Sequence, residues 1–481
     1  MAGERVLLIN TNRMRPVVAP LGLDYVAQAL EGSGFRVEIL DLAFAENTEE
    51  AISGYFQKNS VGAVAVTLRN IDDSYYASQD SFLPQVKEVI KSVRARTDGP
   101  IIMGGVGFSL MPCEIMEYCG VDFGIKGEGE EALPLLLQHI FNGEEFSGIP
   151  GLVFSTPKGL QLNPPRYLNL KRFSLSRRGA IDNLRYFLEG GMAGFESKRG
   201  CDRKCVYCAD PVSKGRKIRL RPPKDVADEL ENLLKQGIDH FHTCDSEFNI
   251  PEGHALAICQ EIIGRGLGDK IRWYAYCSPV PFSEELALLM RRAGCVGIDF
   301  GVDHGNDGML RRLGRDFTSR DVREIANRCR RYSFSFMFDL LLGGPGETRE
   351  TLKETVELMK GLDPSRIGVS FGVRLYRGTA LGRQVLREGV TSANRNLRGR
   401  IEGNKDFLEP IFYVSAELGE GAEDYVKDLI GGDKRFFFAA KGEIEGNYNY
   451  NENSTLVQAI KKGYRGAFWD ILRRLEEGTG L

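Results

Sequence analysis

Short apolar runs alternate with segments of helical periodicity over residues 1 to about 140, and this alternation constrains the fold more than any other feature of the chain. Arg5–Ile9 and Val61–Leu68 have the length and composition of buried strands, and Leu21–Gly32 has the spacing of a helix. The pattern predicts an α/β fold with a doubly wound parallel sheet of the flavodoxin-like (Rossmann-type) kind. Such sheets bind ligands beyond the carboxyl ends of their strands. The loops that follow the predicted strands are therefore the expected binding loops.

A second alternation runs from Ala193 to about Gly389 and contains six strand–helix units. Because the two units that would close an eightfold barrel are missing, this pattern predicts a partial (β/α)6 barrel with its chemistry at the carboxyl ends of the strands. We divide the chain into a first domain (1–145), a proline-rich linker with one hairpin (146–187), the partial barrel (188–390) and a small C-terminal α/β segment (391–481). That last segment is expected to be a substrate-facing cap, with the polar aromatic run 447–453 as its lid.

Composition excludes several classes of partner. The 481 residues carry 63 Lys and Arg against 66 Asp and Glu, so there is no basic surplus for binding nucleic acid. No apolar run approaches the roughly 18 residues that a membrane-spanning helix needs. The N-terminus also lacks the apolar core and cleavage site of a secretory signal. We therefore expect a cytoplasmic protein.

The strongest chemical motif is the C-x3-C-x2-C run formed by Cys201, Cys205 and Cys208. Three thiolates at this spacing can each bind one corner of an iron-sulfur cubane and leave the fourth iron open. A structural zinc site is the alternative, but it needs four ligands, and Cys244 on another predicted strand is the only candidate for the fourth that we identify. A disulfide is less expected in a reducing compartment.

This loop resembles the C-x3-C-x-aromatic-C motif that defines the radical S-adenosylmethionine enzymes, with Tyr207 as the aromatic residue. The resemblance implies a 4Fe-4S cluster on the three cysteines, S-adenosylmethionine chelated at the open iron, and an electron donor of the flavodoxin or ferredoxin type. The family more often has a Glu-Ser pair where this chain has Asp303 and His304. Helix capping by Asp245 and a surface ion pair for Arg315 stay open as alternatives. The implied cofactor contacts are Tyr207, Asp245, Glu247, Asp303 and Arg315.

GGVGFS (residues 104–109) followed by GEGEE (residues 127–131) resembles the cobalamin-binding domain that precedes the radical domain in the class B enzymes of that family. Glycine turns are also common in other flavodoxin-like domains. The loop after the first strand contains no histidine, so the resemblance implies base-off cobalamin without a histidine ligand. The topology of the sheet places Leu68, Arg69 and Asn70 nearest the lower face of the cobalamin, and a solvated position at the strand end stays open as the alternative for Arg69. The expected cobalamin contacts are Asn10, Thr11, Asn12, Leu21, Gly22, Thr67, Leu68, Arg69, Asn70, Gly104, Gly105, Val106, Phe108, Ser109, Gly127, Glu128 and Gly129.

Together the two resemblances imply a cobalamin-dependent radical S-adenosylmethionine methyltransferase that methylates an unactivated carbon by means of methylcobalamin and a 5'-deoxyadenosyl radical. The alternatives are a cyclase or rearrangement enzyme of the same subclass, a radical enzyme whose first domain binds no cobalamin, and an iron-sulfur carrier or sensor without turnover. The substrate is left open among small metabolites, lipid precursors and peptides. No catalytic residue is assigned.

Overall fold

The computed structural model describes residues 3–172, 177–438 and 449–479. Its first sheet has seven strands in the order β2-β1-β3-β4-β5-β6-β7, of which β1 to β5 pair in parallel. The strands β6 and β7 form the hairpin that the sequence placed in the linker, and they extend this sheet in antiparallel fashion. The strands are β1 (Arg5–Asn10), β2 (Arg36–Asp41), β3 (Ala63–Thr67), β4 (Ile101–Gly104), β5 (Phe123–Ile125), β6 (Leu152–Thr156) and β7 (Gly159–Leu162).

Helices cover both faces of this sheet, since neighbouring residues of its strands enter different cores. Leu7 and Ile9 pack into one buried cluster, and Val6 and Leu8 pack into another. This two-sided burial explains why the strands are continuous apolar runs. The helices are α1 (Leu21–Gly32), α2 (Thr48–Phe56), α3 (Leu83–Arg94), α4 (Val106–Leu110), α5 (Pro112–Cys119) and α6 (Gly129–Asn142), with a 3-10 turn at Leu42–Phe44.

The register of the first sheet brings the predicted binding loops together. Asn10 at the end of β1 pairs with Thr67 at the end of β3, and Thr67 pairs with Gly104 at the end of β4. The three loops that follow therefore start side by side at one edge. This is the edge at which ligands of doubly wound sheets bind.

The second sheet is all parallel and has the order β19-β15-β14-β13-β12-β11-β8. It contains the six predicted strands and a seventh, β19, which comes from the segment that the sequence assigned to the cap. Two short strands, β9 and β10, form a separate pair. The strands are β8 (Ala193–Phe195), β9 (Lys198–Arg199), β10 (Arg219–Leu220), β11 (His240–Thr243), β12 (Arg272–Cys277), β13 (Cys295–Asp303), β14 (Ser335–Leu342), β15 (Arg366–Phe371) and β19 (Phe436–Phe438).

Alternate residues of these strands are buried against an outer layer of helices. In β12, for example, Trp273, Ala275 and Cys277 belong to that core, so Tyr274 and Tyr276 point to the opposite, inner face. The helices are α7 (Asn183–Gly190), α8 (Asp210–Lys214), α9 (Pro223–Lys235), α10 (Glu252–Gly264), α11 (Glu284–Arg292), α12 (Asp307–Leu313), α13 (Ser319–Arg331) and α14 (Arg349–Leu362). No helix in the described ranges has the length and hydropathy to cross a membrane.

The C-terminal elements cover the inner face of the second sheet. Tyr274 and Met337 of that face pack with Leu456, Trp469 and Ile471 of the last two helices. A separate three-stranded sheet, in the order β16-β18-β17, comes earlier in the chain than these two helices. The elements are β16 (Val373–Arg374), α15 (Ala380–Glu388), β17 (Leu397–Gly399), β18 (Ile411–Tyr413), α16 (Ala422–Ile430), α17 (Ser454–Lys461) and α18 (Phe468–Glu476), with a 3-10 turn at Ala416–Leu418.

A fully buried ion network joins the two sheets. The Arg178 guanidinium contacts Asp24 of α1 (Nε to Oδ2, 3.0 Å) and Glu229 of α9 (Nη1 to Oε1, 2.6 Å). The other oxygen of Glu229 accepts a hydrogen bond from Arg221 at 2.6 Å, and Tyr25 donates to the same carboxylate. Because these groups come from the first domain, the linker and the barrel, the network fixes the domains relative to each other.

Candidate active site

The cysteine loop begins at the carboxyl end of β8 and is held by backbone hydrogen bonds. The Cys201 amide donates to the Gly215 carbonyl (3.1 Å), and the Val206 amide donates to the Leu313 carbonyl (3.0 Å). Gly314 has a φ of +80°, and a Cβ there would lie 2.3 Å from the Lys204 carbonyl oxygen. Only glycine therefore lets the chain after α12 pass this close to the loop.

All three cysteines of the motif are free thiols. Burial raises the pKa of each thiol, most strongly for Cys208. No three His, Cys, Asp or Glu side chains in the described ranges converge closely enough to hold a single metal ion. A cubane instead presents a separate iron to each thiolate. The spacing and the donor set fit that arrangement.

Four of the five predicted S-adenosylmethionine contacts form one network around Cys205. Arg315 donates to the Cys205 sulfur (Nη1 to Sγ, 3.1 Å) and lies 3.4 Å from Asp303 and 3.5 Å from Glu247. The Tyr207 hydroxyl donates to Asp303 at 2.5 Å. Burial raises the pKa of Glu247 to about 7. A buried cation beside two carboxyl groups is suited to binding an amino acid moiety, and direct contact with the cofactor stays a prediction.

The fifth residue, Asp245, holds the loop instead. Its carboxylate accepts hydrogen bonds from the Ser197 amide (2.9 Å), the Ser197 hydroxyl (2.6 Å) and the Lys198 amide (3.1 Å). These bonds fix the turn from β8 into β9, just before Cys201. The structure thus places Asp245 at the site but commits its oxygens to protein donors, and a contact between Asp245 and the cofactor stays a prediction.

His304 and Glu347 form a support beneath this network that the sequence did not reveal. The His304 Nε2 lies 2.8 Å from the Glu347 carboxylate, whose other oxygen accepts the amides of Gly343 and Gly344. Both side chains are fully buried. Asp303, the residue before His304, has a φ of +64°, a strained value for aspartate that this packing maintains. The departure from the usual Glu-Ser pair was the only sequence signal.

At the edge of the first sheet, glycine allows the predicted cobalamin loops to pack against each other. Gly105 has a φ of +107°, and a Cβ there would lie 2.4 Å from the Leu68 carbonyl oxygen. Val106 is 44% exposed at this edge, and the Asn12 Nδ2 is a buried donor that has no hydrogen-bond partner among the described residues. An open apolar edge with an unsatisfied amide fits a large ligand that has both planar and polar parts.

Other predicted cobalamin contacts have structural partners. The side-chain amide of Asn10 donates from Nδ2 to the Asp41 carboxylate and to the Tyr186 hydroxyl, both at 2.9 Å. Glu128 accepts the Leu168 amide (2.6 Å) and pairs with Arg199 and Arg219 of the barrel. The side chains of Asn10 and Glu128 therefore connect this edge of the first sheet to neighbouring parts of the protein. Their contact with a cofactor stays a prediction.

The remaining predicted positions lie around the same edge. The Thr11 hydroxyl donates to the Thr67 carbonyl (2.7 Å), and the Ser109 hydroxyl accepts the Gly127 amide (2.9 Å). Phe108 is fully buried behind the edge. Leu21 and Gly22 open α1, and Gly129 opens α6.

Arg69 links the two halves of the site. Its Nη1 lies 2.9 Å from the Met14 sulfur, and its charge acts on Cys244 and Tyr276 of the second sheet. No carboxylate in the described ranges forms an ion pair with it. The only histidine before residue 145 is His139, which contacts the Glu145 carbonyl near the end of α6. The structure thus places an arginine, and no histidine, where the edge faces the barrel.

The inner face of the second sheet and two tyrosines that pack onto it form a group of side chains that we call the aromatic pocket. The Tyr276 ring is 43% exposed although β12 is an interior strand, so its free surface lies inside the barrel. The His242 ring lies 4.7 Å from it, and burial lowers the pKa of His242 to about 4, which leaves this ring neutral. The pocket residues are Tyr75, His242, Tyr276, Asp299, Asp339 and Tyr450.

Comparison with known proteins agrees with this arrangement. Residues 8–137 match the B12 binding domain, and residues 195–359 match the radical SAM superfamily. A "Tryptophan 2-C-methyltransferase" of Streptomyces laurentii is 31% identical over 96% of this chain and 95% of its own length. A solved radical S-adenosylmethionine methyltransferase, TsrM, from Kitasatospora setae, with tryptophan and an S-adenosylmethionine analogue bound, is 33% identical, covers 98% of both chains and has a TM-score of 0.91. The same protein has been solved with cobalamin and a [4Fe-4S] cluster bound.

Proposed function

Because this chain belongs to the cobalamin-dependent radical S-adenosylmethionine methyltransferases, with a 4Fe-4S cluster, S-adenosylmethionine and cobalamin as cofactors, we propose that it methylates carbon 2 of the indole ring of tryptophan. The methyl transfer balances as S-adenosylmethionine plus tryptophan giving S-adenosylhomocysteine, 2-methyltryptophan and a proton. Formation of a 5'-deoxyadenosyl radical would in addition consume a second S-adenosylmethionine and one electron from the external donor, and would release methionine. The observation that carries the proposal is the aromatic pocket between the two cofactor edges.

The shape and polarity of this pocket favour a planar aromatic substrate. Tyr276 and His242 offer ring faces at the carboxyl end of the barrel, and Tyr75 approaches from the first domain. Stacking between aromatic rings contributes about 0.5–1.5 kcal/mol per pair beyond the area that it buries. An indole ring held between these side chains would lie between Arg69, which we propose faces cobalamin, and the network around Cys205, which we propose faces S-adenosylmethionine.

The chain's own residues position the reactants and exclude water. Cys201, Cys205 and Cys208 would hold the cluster, Arg315 with Asp303 would orient the amino acid part of S-adenosylmethionine, and the edge at Gly105 would hold the corrin. When bound, cobalamin supplies a methyl carrier and the cluster supplies an electron. Arg69 would discourage a ligand on the lower face of cobalt, because a buried guanidinium has no lone pair to donate.

The proposal is tested with anaerobically reconstituted holoenzyme, tryptophan and S-adenosylmethionine labelled in its methyl group. We expect the label in 2-methyltryptophan, in equal amount with S-adenosylhomocysteine. The expected 5'-deoxyadenosyl radical and the external electron donor stay predictions, and 5'-deoxyadenosine measured with and without reductant in the same assay tests them. Fully loaded enzyme that transfers no label to tryptophan would overturn the proposed function.

Gly105→Ala tests the cobalamin edge. The new Cβ would collide with the Leu68 carbonyl at a φ that L residues rarely adopt, so the loop of residues 68–70 must shift. We expect the variant to bind less than a tenth of the wild-type corrinoid, measured by absorption after reconstitution, while its cluster iron is unchanged. Gly54→Ala in α2, where nothing lies within 4 Å of the new Cβ, is the control and should bind corrinoid normally. Normal corrinoid in Gly105→Ala would contradict the assignment.

A further inference from the structure

The inner face of the barrel carries two carboxyl groups that the cofactor network does not use. Asp299 lies on β13 and Asp339 on β14, and the register pairs Asp339 with Gly301, two residues along from Asp299. Residues two apart point to the same face of a strand, so both side chains are in the aromatic pocket. The two carboxyl groups are hydrogen-bonded to each other.

Among the buried side-chain atoms without a hydrogen-bond partner in the described residues, Asp299 supplies the only carboxylate oxygen. Its side chain is 2% exposed, and its Oδ1 has no hydrogen-bond partner among the described residues. A buried oxygen left in this state typically costs about 1–3 kcal/mol of stability. Natural sequences accept such a cost mainly where a site is used for function. The free oxygen therefore indicates a ligand that donates a hydrogen bond.

The charges around Asp299 indicate what kind of donor is missing. The groups that act on it are Asp339 and Glu247, both acidic, and no Lys or Arg does so among the residues with described positions. Burial and the neighbouring Asp339 raise the pKa of Asp299, because two adjacent buried carboxyl groups resist carrying two negative charges. The facing rings, Tyr276, Tyr75 and Tyr450, are uncharged. A ligand with one positive charge would neutralise the pocket, whereas a neutral indole N–H would leave the charge buried.

We propose that Asp299, with Asp339 beside it, is the subsite that binds the protonated α-amino group of the substrate. The inference rests on the proposed function, since it takes the substrate to be an aromatic amino acid. The ammonium group donates to the free Asp299 oxygen, and the ring stacks on the tyrosines. This arrangement fixes the ring by its side chain, so the carbon to be methylated has one position relative to Arg69.

The test measures equilibrium binding to reconstituted holoenzyme without S-adenosylmethionine, so that no turnover occurs. The ligands are tryptophan, tryptamine, which keeps the amine but lacks the carboxylate, and indole-3-propionate, which lacks the amine. In the wild type we expect both amines to bind on the order of 100-fold more tightly than indole-3-propionate. In Asp299→Asn we expect that preference to disappear, with indole-3-propionate binding changed less than threefold.

Two controls separate a binding role from a structural one. Asp424→Asn removes one exposed carboxylate of α16 and should leave all three affinities unchanged. Thermal unfolding of Asp299→Asn should occur at the wild-type temperature or above it, because the substitution removes a buried acidic group that no described cation pairs with. A lower unfolding temperature with all three ligands weakened equally would overturn the proposal, as would unchanged affinity for the amines.

The outcomes also distinguish this subsite from the proposed function. If tryptophan is methylated while Asp299→Asn keeps its preference for amines, the function stands and the subsite is wrong. If tryptophan is not methylated but tryptamine or another aromatic amine binds in an Asp299-dependent way, the subsite stands and the proposed function is wrong. Absence of any amine-dependent binding to the wild type overturns the subsite.

Discussion

Cys205→Ala is expected to lose nearly all cluster iron and all methyl transfer after anaerobic reconstitution. Each cysteine of the motif is predicted to supply the sole protein ligand of one iron, and the Cys205 sulfur also accepts a hydrogen bond from Arg315 at 3.1 Å. Removing it leaves one corner without a ligand and frees the guanidinium that joins the loop to Asp303 and Glu247. Iron and acid-labile sulfide per chain, with the broad visible absorption of the cluster, measure the effect.

The same preparation should still bind corrinoid, because the edge at Gly105 belongs to the other sheet. This second readout separates loss of the cluster from unfolding. Cys113→Ala, which removes a half-buried free thiol of α5, is the matched control and should keep both cofactors. Wild-type iron content in Cys205→Ala would show that another group ligates the cluster and would revive a role for Cys244.

Much of the fold followed from periodicity, since strands buried on both faces form continuous apolar runs that differ clearly from helical spacing. All six predicted barrel strands are present. The seventh, Phe436–Phe438, was assigned to the cap because three residues are too short to show a period. The hairpin of β6 and β7 was predicted, but the sheet that it joins was not, because pairing partners depend on contacts that sequence spacing does not encode.

Parts of the candidate site could likewise be predicted from the sequence, and other parts could not. Cysteine and glycine spacing is local, so the two cofactors and the loops proposed to hold them could be predicted from the sequence, while the residue contacts with each cofactor stay predictions. The partners of Asn10 and Glu128 lie up to 176 residues away, and no local pattern identifies them. For Asp299 and Asp339 the sequence does contain a local signal, because each is a charged residue in the middle of a buried parallel strand, in VGIDFG and SFMFDLLL. Such a residue must have a partner, a proton or a ligand.

Arg178→Met is expected to cause the largest loss of stability among single substitutions outside the cofactor loops. Arg178 is 1% exposed and binds Asp24, Glu229 and Asn183 at once. Methionine preserves most of the apolar stem but leaves two buried carboxylates without their common cation, although Arg221 still pairs with Glu229. Breaking a buried pair in this way typically costs about 3–5 kcal/mol.

We expect Arg178→Met to weaken the contact between the two sheets as well as local packing, because the residues of this network belong to α1, the linker and α9. We therefore expect the midpoint of denaturant unfolding to fall and the amides of α1 and α9 to exchange faster, with the sheet cores less affected. Arg185→Met is the matched control, since Arg185 forms an exposed pair with Glu189 one turn along α7 and its loss should cost below about 1 kcal/mol. Equal unfolding midpoints for Arg178→Met and Arg185→Met would contradict this expectation and would mean that other contacts, such as Glu128 with Arg219, suffice to hold the domains together.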